Sequence, residues 1–125
     1  MSQKPRTLSD LRATVHHLTG TVFCRRKLEN VFDFGQPQHS LSATVSFVSD
    51  RLRAVSVDIT QSDFHPCDTF DLLAIMFRFH LLAGYLCSEL PQSKFQRRFN
   101  DQALMSTLSM LQSSYRSIAS ETASV

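Results

Sequence analysis

The chain has few of the residues that build turns, and this scarcity limits its fold class. Of 125 residues only three are Gly and four are Pro. A sheet of many strands needs turn residues between successive strands. Hydrophobic residues make up 42% of the chain and charged residues 19%, which is typical of a folded domain and not of a disordered one. The composition therefore favours one all-α domain that is large enough to bury a core.

The chain also has few cysteines, a small net charge and no recognisable targeting segment. The three cysteines, Cys24, Cys67 and Cys87, have no C-x-x-C spacing, which argues against a disulfide scaffold and for a reducing compartment. A net charge of +2 is too small to indicate a nucleic-acid partner by itself. The polar N-terminus lacks the apolar stretch of a signal peptide, and charged residues interrupt the longest apolar segment, residues 70–90. We therefore expect a soluble intracellular protein with no membrane span.

Apolar residues recur at three- and four-residue intervals in four segments, and this spacing predicts four amphipathic helices. The predicted helices cover residues 8–19, 41–61, 69–90 and 101–117, with a short helix at residues 24–32. The predicted caps are Thr7, Ser40, Asp68 and Asn100, and Gly20 follows the first helix. We expect stacked antiparallel helical hairpins, with the third helix the most buried. The domain would cover residues 8–117, between an N-terminal tail (1–7) and a Ser-rich C-terminal tail (118–125).

The second predicted helix carries the most informative pattern. Its apolar stripe is interleaved with Asp50, Arg51, Arg53 and Asp58, which is more charge than a core helix needs. Asp50 and Arg53 are three residues apart, so they can pair along one face of the helix. We favour the interpretation that these charges form a polar network that braces the helix against a neighbour, and keep a partner-binding surface as the alternative. The stripe consists of Leu41, Val45, Val48, Leu52, Val55 and Ile59.

Three blocks, taken in order, resemble the Sac-three/GANP family of mRNA-export scaffold proteins. Residues 50–60 (DRLRAVSVDIT) are similar to the family signature D-R-x-R-A-[IV]-x-x-D-[LI]-T. Residues 11–18 (LRATVHHL) resemble its L-x-x-T-V-x-Y-L helix, and residues 77–82 (FRFHLL) resemble its A-R-F-H-I-L block. Residues 99–115 are similar to the family pattern that follows. The chain departs from the family at Ser56 and Val57, where a basic residue and Gln are usual, and it lacks the upstream Cys/Pro-rich motif.

This resemblance implies a helical repeat of the TPR or PCI type that stops before the winged helix of longer members. It implies a non-enzymatic scaffold without cofactor, metal, membrane contact or small-molecule substrate. The partners would be export-complex or PCI-type subunits at the nuclear pore in the nucleus, or centrosomal and spindle proteins in the cytoplasm, as for the small members. The residues that match the family blocks, as partner-binding or structural positions, are Asp50, Arg51, Arg53, Asp58, Arg78 and His80. On its apolar helix, His80 is expected to be a core or boundary residue with its hydrogen bonds satisfied.

The residues alone leave two other interpretations of function open. A small RNA-binding module would use two basic clusters, with phosphate contacts that weaken as salt rises; these are Arg25, Arg26 and Lys27, and Lys94, Arg97 and Arg98. A truncated gene product would have no independent activity. The ten Phe residues could stack on bases, but their spacing favours the core. His65 and Cys67 are too few for a zinc site and offer no oxyanion hole for a Cys–His hydrolase, so no metal or catalytic site is predicted.

Overall fold

The computed structural model describes residues 7–23, 37–93 and 95–123. Over these ranges the chain forms four α-helices and contains no strand, so the all-α prediction is confirmed. A π-helical segment, His17–Phe23, continues the first helix without a break. The predicted short helix at residues 24–32 lies outside the described ranges. The helices are α1 (Leu8–His16), α2 (Pro37–Gln61), α3 (Pro66–Leu86) and α4 (Arg97–Ala123).

Helix α1 begins at a capping box, as its sequence predicts. The Thr7 hydroxyl accepts a hydrogen bond from the Asp10 amide at 3.1 Å, and the Asp10 carboxylate accepts one from the Thr7 amide at 3.3 Å. The predicted end at Gly20 is wrong, because the chain continues through Gly20 as a π-helix without a positive φ angle. Leu18 and Phe23 are both buried. Their five-residue separation matches the π-helical repeat, which keeps both side chains on the core side.

Helix α2 presents the predicted apolar stripe to the core. Val48, Leu52 and Val55 are fully buried at its centre. The helix begins at Pro37 and therefore includes Ser40, so the prediction of Ser40 as its cap is wrong. Proline suits the first helical turn because its fixed φ angle is helical and its missing N–H has no partner there in any case.

Helix α3 is the central helix of the fold. Its cap is His65, whose ring Nδ1 accepts a hydrogen bond from the Cys67 amide at 3.1 Å. The prediction of Asp68 as the cap is therefore wrong, and Asp68 lies in the first turn, where a negative charge is favourable. By length and composition α3 is the one helix in the described ranges that could cross a membrane. Here its buried side chains contribute to the core, namely Leu72, Leu73, Met76, Phe79 and Ala83.

Helix α4 packs along α3 to form a hairpin. It begins at Arg97, so Asn100 is a buried residue of the first turn and not the predicted cap. The helix also continues as far as Ala123, through most of the predicted C-terminal tail. The start of α3 contacts the end of α4 through His65 and Glu121, which shows that the two helices are antiparallel.

The other side of α3 packs against α1, the π-helical segment and α2. Phe23 in the π-helical segment meets Phe79 of α3 edge to face, with ring centroids 5.1 Å apart. Polar contacts from Arg12 also join α1 to the start of α3. Its guanidinium donates to the Asp71 carboxylate at 2.6 Å and to the Asp68 carbonyl oxygen at 2.7 Å.

Candidate docking site

The charged signature residues of α2 lie on the side of the helix that faces away from the core. Asp50, Arg51 and Arg53 are exposed, and none forms a hydrogen bond or ion pair with any residue that the structure describes. The favoured bracing interpretation is therefore wrong for these three residues, since a brace requires a partner. Asp58 differs because it is half-buried and takes part in a polar interaction. The helix leaves most of this charge free for a partner.

Apolar side chains lie among these charges. Phe47 is 48% exposed, and the Arg51 guanidinium lies over its ring at 5.3 Å from the centroid. Such a cation–π contact holds both side chains in place and is worth about 0.5–1 kcal/mol at an exposed site. We call Phe47, Asp50, Arg51, Arg53 and Val57 the α2 outer face. The sequence shows that Phe47 and Arg51 are four residues apart, a spacing at which side chains on a helix can touch. Only the structure shows that the Phe47 ring is exposed, so that a partner could reach the pair.

A polar groove of about 710 Å³ separates α2 from α4. Asp50 and Arg53 line its α2 side, and His80 of α3 and Asn100 of α4 also line it. The structure thus brings together three of the family-signature residues, Asp50, Arg53 and His80. Arg51 lies at the opposite edge of the α2 outer face from Arg53, in a groove beside α1 and the π-helical segment.

His80 and Asn100 form the buried polar contact between α3 and α4. The side chains are 3% and 7% exposed, and the Asn100 Nδ2 donates to the His80 main-chain oxygen at 3.0 Å. Gly84 makes this approach possible, because a Cβ atom there would lie 3.0 Å from the same nitrogen. The prediction that His80 is a core residue is confirmed. Its hydrogen bonds are not all satisfied, however: His80 Nδ1 and Asn100 Oδ1 have no partner among the described residues.

Burial also sets the charge of His80. Removal from water lowers the pKa of its imidazole below the ordinary value, although the nearby Asn100 side chain partly opposes this effect. His80 is therefore neutral at pH 7. A neutral histidine without a positioned nucleophile or acid beside it supplies no recognisable catalytic apparatus.

Arg78 lies apart from His80, beside an apolar groove of about 610 Å³ between α3 and α4. One residue separates them in the chain, but successive positions on a helix point about 100° apart. On the α4 side of this groove lies Arg116. The two arginines are exposed and have no ion-pair partner in the part of the chain that the structure covers. The remaining residues around the groove are Phe70, Ala74, Phe77, Leu111, Gln112 and Tyr115.

His65 and Cys67 lie close to Glu121, a residue that the sequence pattern did not connect with them. Their possible ligand atoms lie within 4.8 Å of one another and all three residues are exposed. His65 Nε2 contacts the Glu121 carboxylate at 3.0 Å, while Nδ1 accepts from the Cys67 amide. Both ring nitrogens of His65 are engaged in these contacts, so the cluster caps α3 and joins its start to the end of α4.

Of the six residues in the two basic clusters, the structure describes Arg97 and Arg98. Arg97 donates to the main-chain oxygen of Ser88, so it holds the α3–α4 connection in place. Arg98 is exposed at the start of α4. Arg25, Arg26, Lys27 and Lys94 lie outside the described ranges.

The contact that sequence reasoning missed completely is that of Arg12 with Asp71. These residues are 59 positions apart, and no periodicity connects them. The hydrogen bond from Arg12 holds the pKa of the Asp71 carboxyl below its usual value, and the pair raises the pKa of Arg12 in turn. Both groups remain charged at neutral pH and connect α1 to the first turns of α3.

Comparison with known proteins confirms the resemblance seen in the sequence blocks. The model of the SAC3/GANP family matches residues 1–124, which is essentially the whole chain. No solved structure matches the chain. The family consists of non-catalytic scaffolds associated with nuclear mRNA export, and membership supports a scaffold role in that process. The exposed signature charges, the helical architecture and this match together show that the chain belongs to the SAC3/GANP family.

Proposed function

We propose that this protein is a docking scaffold of nuclear mRNA export that binds protein subunits of the export complex through the α2 outer face. The observation that carries the proposal is the exposure of Asp50, Arg51 and Arg53, which form no hydrogen bond or ion pair with the described residues. These residues belong to the family signature, and they contribute no ion pair to the fold. A partner that supplies the complementary charges would gain both orientation and association rate.

The α2 outer face also has an apolar anchor for a partner. Phe47 is half-exposed and held by Arg51, so little side-chain entropy is lost when a partner covers it. Beneath it, the buried stripe of α2 fixes the helix to the core. Binding would therefore occur on a rigid surface, with no catalytic step and no change of fold.

The test is a pull-down of the tagged protein from its source cell, with and without nuclease, analysed by mass spectrometry. The wild-type chain is compared with the R51E/R53E variant, and R98E serves as a control at an exposed arginine of α4. We expect export-complex and nuclear-pore proteins that survive nuclease, that are lost from R51E/R53E and that are retained by R98E.

Other results would contradict the proposal in different ways. Recovery of centrosomal or tubulin-associated proteins would assign the α2 outer face to the spindle role of the small family members. Partners that disappear on nuclease treatment would indicate an RNA-binding module. Chaperones alone would show that the chain has no independent docking activity.

A further inference from the structure

We infer that the apolar groove between α3 and α4 is a second docking site, which binds an acidic amphipathic helix of a partner protein. Its residues belong neither to the α2 outer face nor to the polar groove between α2 and α4. The proposal does not depend on the α2 outer face, and each surface can be tested without the other.

Apolar side chains dominate the groove. Phe70 and Phe77 line it from α3, and Leu111 and Tyr115 line it from α4. Tyr115 lies four residues after Leu111, at helical spacing, and is 64% exposed. Aromatic side chains that remain in water beside a groove are typical of protein-binding surfaces, because covering them releases their hydration water.

The exposed apolar surface continues along α3 beyond the groove. Leu81 is 50% exposed and Tyr85 is 78% exposed, and both lie at helical intervals after Phe77. From Phe70 to Tyr85 the surface is about 22 Å long at 1.5 Å per residue. A helix of four turns has this length. The walls are themselves α-helices, and helices accept another helix by packing ridges into grooves.

The charges beside the groove indicate which kind of partner helix would bind there. Arg78 and Arg116 lie on the two walls of the groove, both exposed and both without an acidic partner in the described residues. A helix with carboxylates on both sides of its apolar stripe would meet one arginine on each wall. A basic helix would be repelled by both. RNA fits less well, since most of the lining is apolar and offers nothing to its phosphates.

Fluorescence anisotropy with two designed peptides tests this assignment. The acidic probe is a helical peptide of about 16 residues with Leu on one face and Ala and Glu elsewhere, a length that matches the exposed surface. The basic probe has Lys at every Glu position. We expect the wild-type chain to bind the acidic probe at least about tenfold more tightly, with an affinity that falls as salt increases.

Charge reversal in the groove supplies the decisive comparison. The R78E/R116E variant should lose at least about tenfold in affinity for the acidic probe and gain affinity for the basic probe. A gain cannot come from a failure to fold. The matched control is R98E, which changes the net charge by the same amount as R78E or R116E alone, at an exposed arginine outside the groove and outside the α2 outer face, and should leave the preference for the acidic probe unchanged.

Four results would overturn the inference. Equal binding of the two probes would show that the groove lacks charge selectivity, and an effect of R98E equal to that of R78E or R116E alone would show that only net charge matters. Competition by a single-stranded oligouridylate, dependent on Arg78 and Arg116, would assign the groove to RNA. Concentration-dependent dimers in sedimentation that exclude the acidic probe would assign it to a second copy of this chain.

Discussion

At the scale of single residues, the contact of Gly84 with Asn100 controls how closely α3 and α4 approach. The glycine leaves space for the Asn100 amide, which donates to the main-chain oxygen of His80. Two polar atoms of the same contact, His80 Nδ1 and Asn100 Oδ1, are buried without a partner in the described residues. An unpaired buried polar atom costs about 1–3 kcal/mol. We therefore expect a substitution that disrupts this contact to destabilise the packing of α3 against α4.

We predict that G84A destabilises the protein relative to G20A. Both changes replace a helical glycine, which by itself stabilises a helix by up to about 1 kcal/mol. A Cβ atom at position 20 meets nothing within 4 Å, whereas one at position 84 lies 3.0 Å from Asn100 Nδ2. Crowding of this kind costs about 1–3 kcal/mol, so urea unfolding should separate the two variants by that amount. If G84A costs as much in an N100A background as in the wild type, the crowding explanation is wrong.

We predict that the protein loses stability in mild acid because of His80. Its folded-state pKa is lowered by burial, so the unfolded chain takes up the proton first as the pH falls. The stabilisation is present above the unfolded pKa of about 6.5 and is lost below it, by up to about 1.4 kcal/mol per pH unit. Asp50 and Arg53 are the charged residues that line the same groove. Urea unfolding of wild type and H80Q at pH 7.5 and 5.5 tests this, with H16Q at an exposed histidine as control. An equal loss in wild type and H80Q would assign the effect to another group.

At the scale of helices, polar side chains determine where elements begin and how they meet. The capping box of Thr7 and Asp10 begins α1, and the His65 ring begins α3. Asp68 looked like a cap in sequence, but Pro66 starts the helix two residues earlier because its φ angle is already helical. The Arg12 contacts then join α1 to the first turn of α3. Local residues thus define the ends of helices, and a long-range pair connects two of the helices.

We predict that D71N weakens the attachment of α1 to α3 at neutral pH and has no effect in strong acid. The Asp71 pKa is lowered by the hydrogen bond from Arg12. Its contribution is therefore present above the unfolded pKa of about 3.9 and is lost as the pH falls below that value. Since both side chains are partly exposed, we expect less than about 1 kcal/mol. Urea unfolding at pH 7 and pH 3 measures it, with D63N as the exposed control; a difference at pH 3 as large as that at pH 7 would contradict the ion-pair explanation.

At the scale of the whole molecule, the central position of α3 divides the surface into separate sites. Helices α1 and α2 pack on one side of α3 and α4 on the other. The α2 outer face and the apolar groove between α3 and α4 therefore consist of different residues on different helices. Substitutions in one of the two proposed docking surfaces can therefore be made without altering the other.

We predict that R51E/R53E leaves the melting temperature within about 2 °C of the wild type, because exposed charges without ion pairs contribute within about 0.5 kcal/mol. Neither arginine forms an ion pair with a described residue, although Arg51 contacts the Phe47 ring. Differential scanning calorimetry measures the change, and L52A in the buried stripe provides the destabilised reference. A large fall in R51E/R53E would restore the bracing interpretation. The same variant should still bind the acidic probe, since Arg78 and Arg116 are intact.

The sequence by itself determined the four helices, the core-facing stripe of α2 and the family. Helical periodicity is a local property, and the motif blocks are read in order along the chain, so neither requires knowledge of the packing. Only the tertiary structure decided which polar residues are free and which are engaged. Asp50 and Arg53 are three residues apart, which allows an ion pair but does not show whether one forms. Arg12 contacts Asp71 although 59 positions separate them in the sequence. Such contacts depend on how helices pack against one another, and that depends on the shapes of many side chains at once.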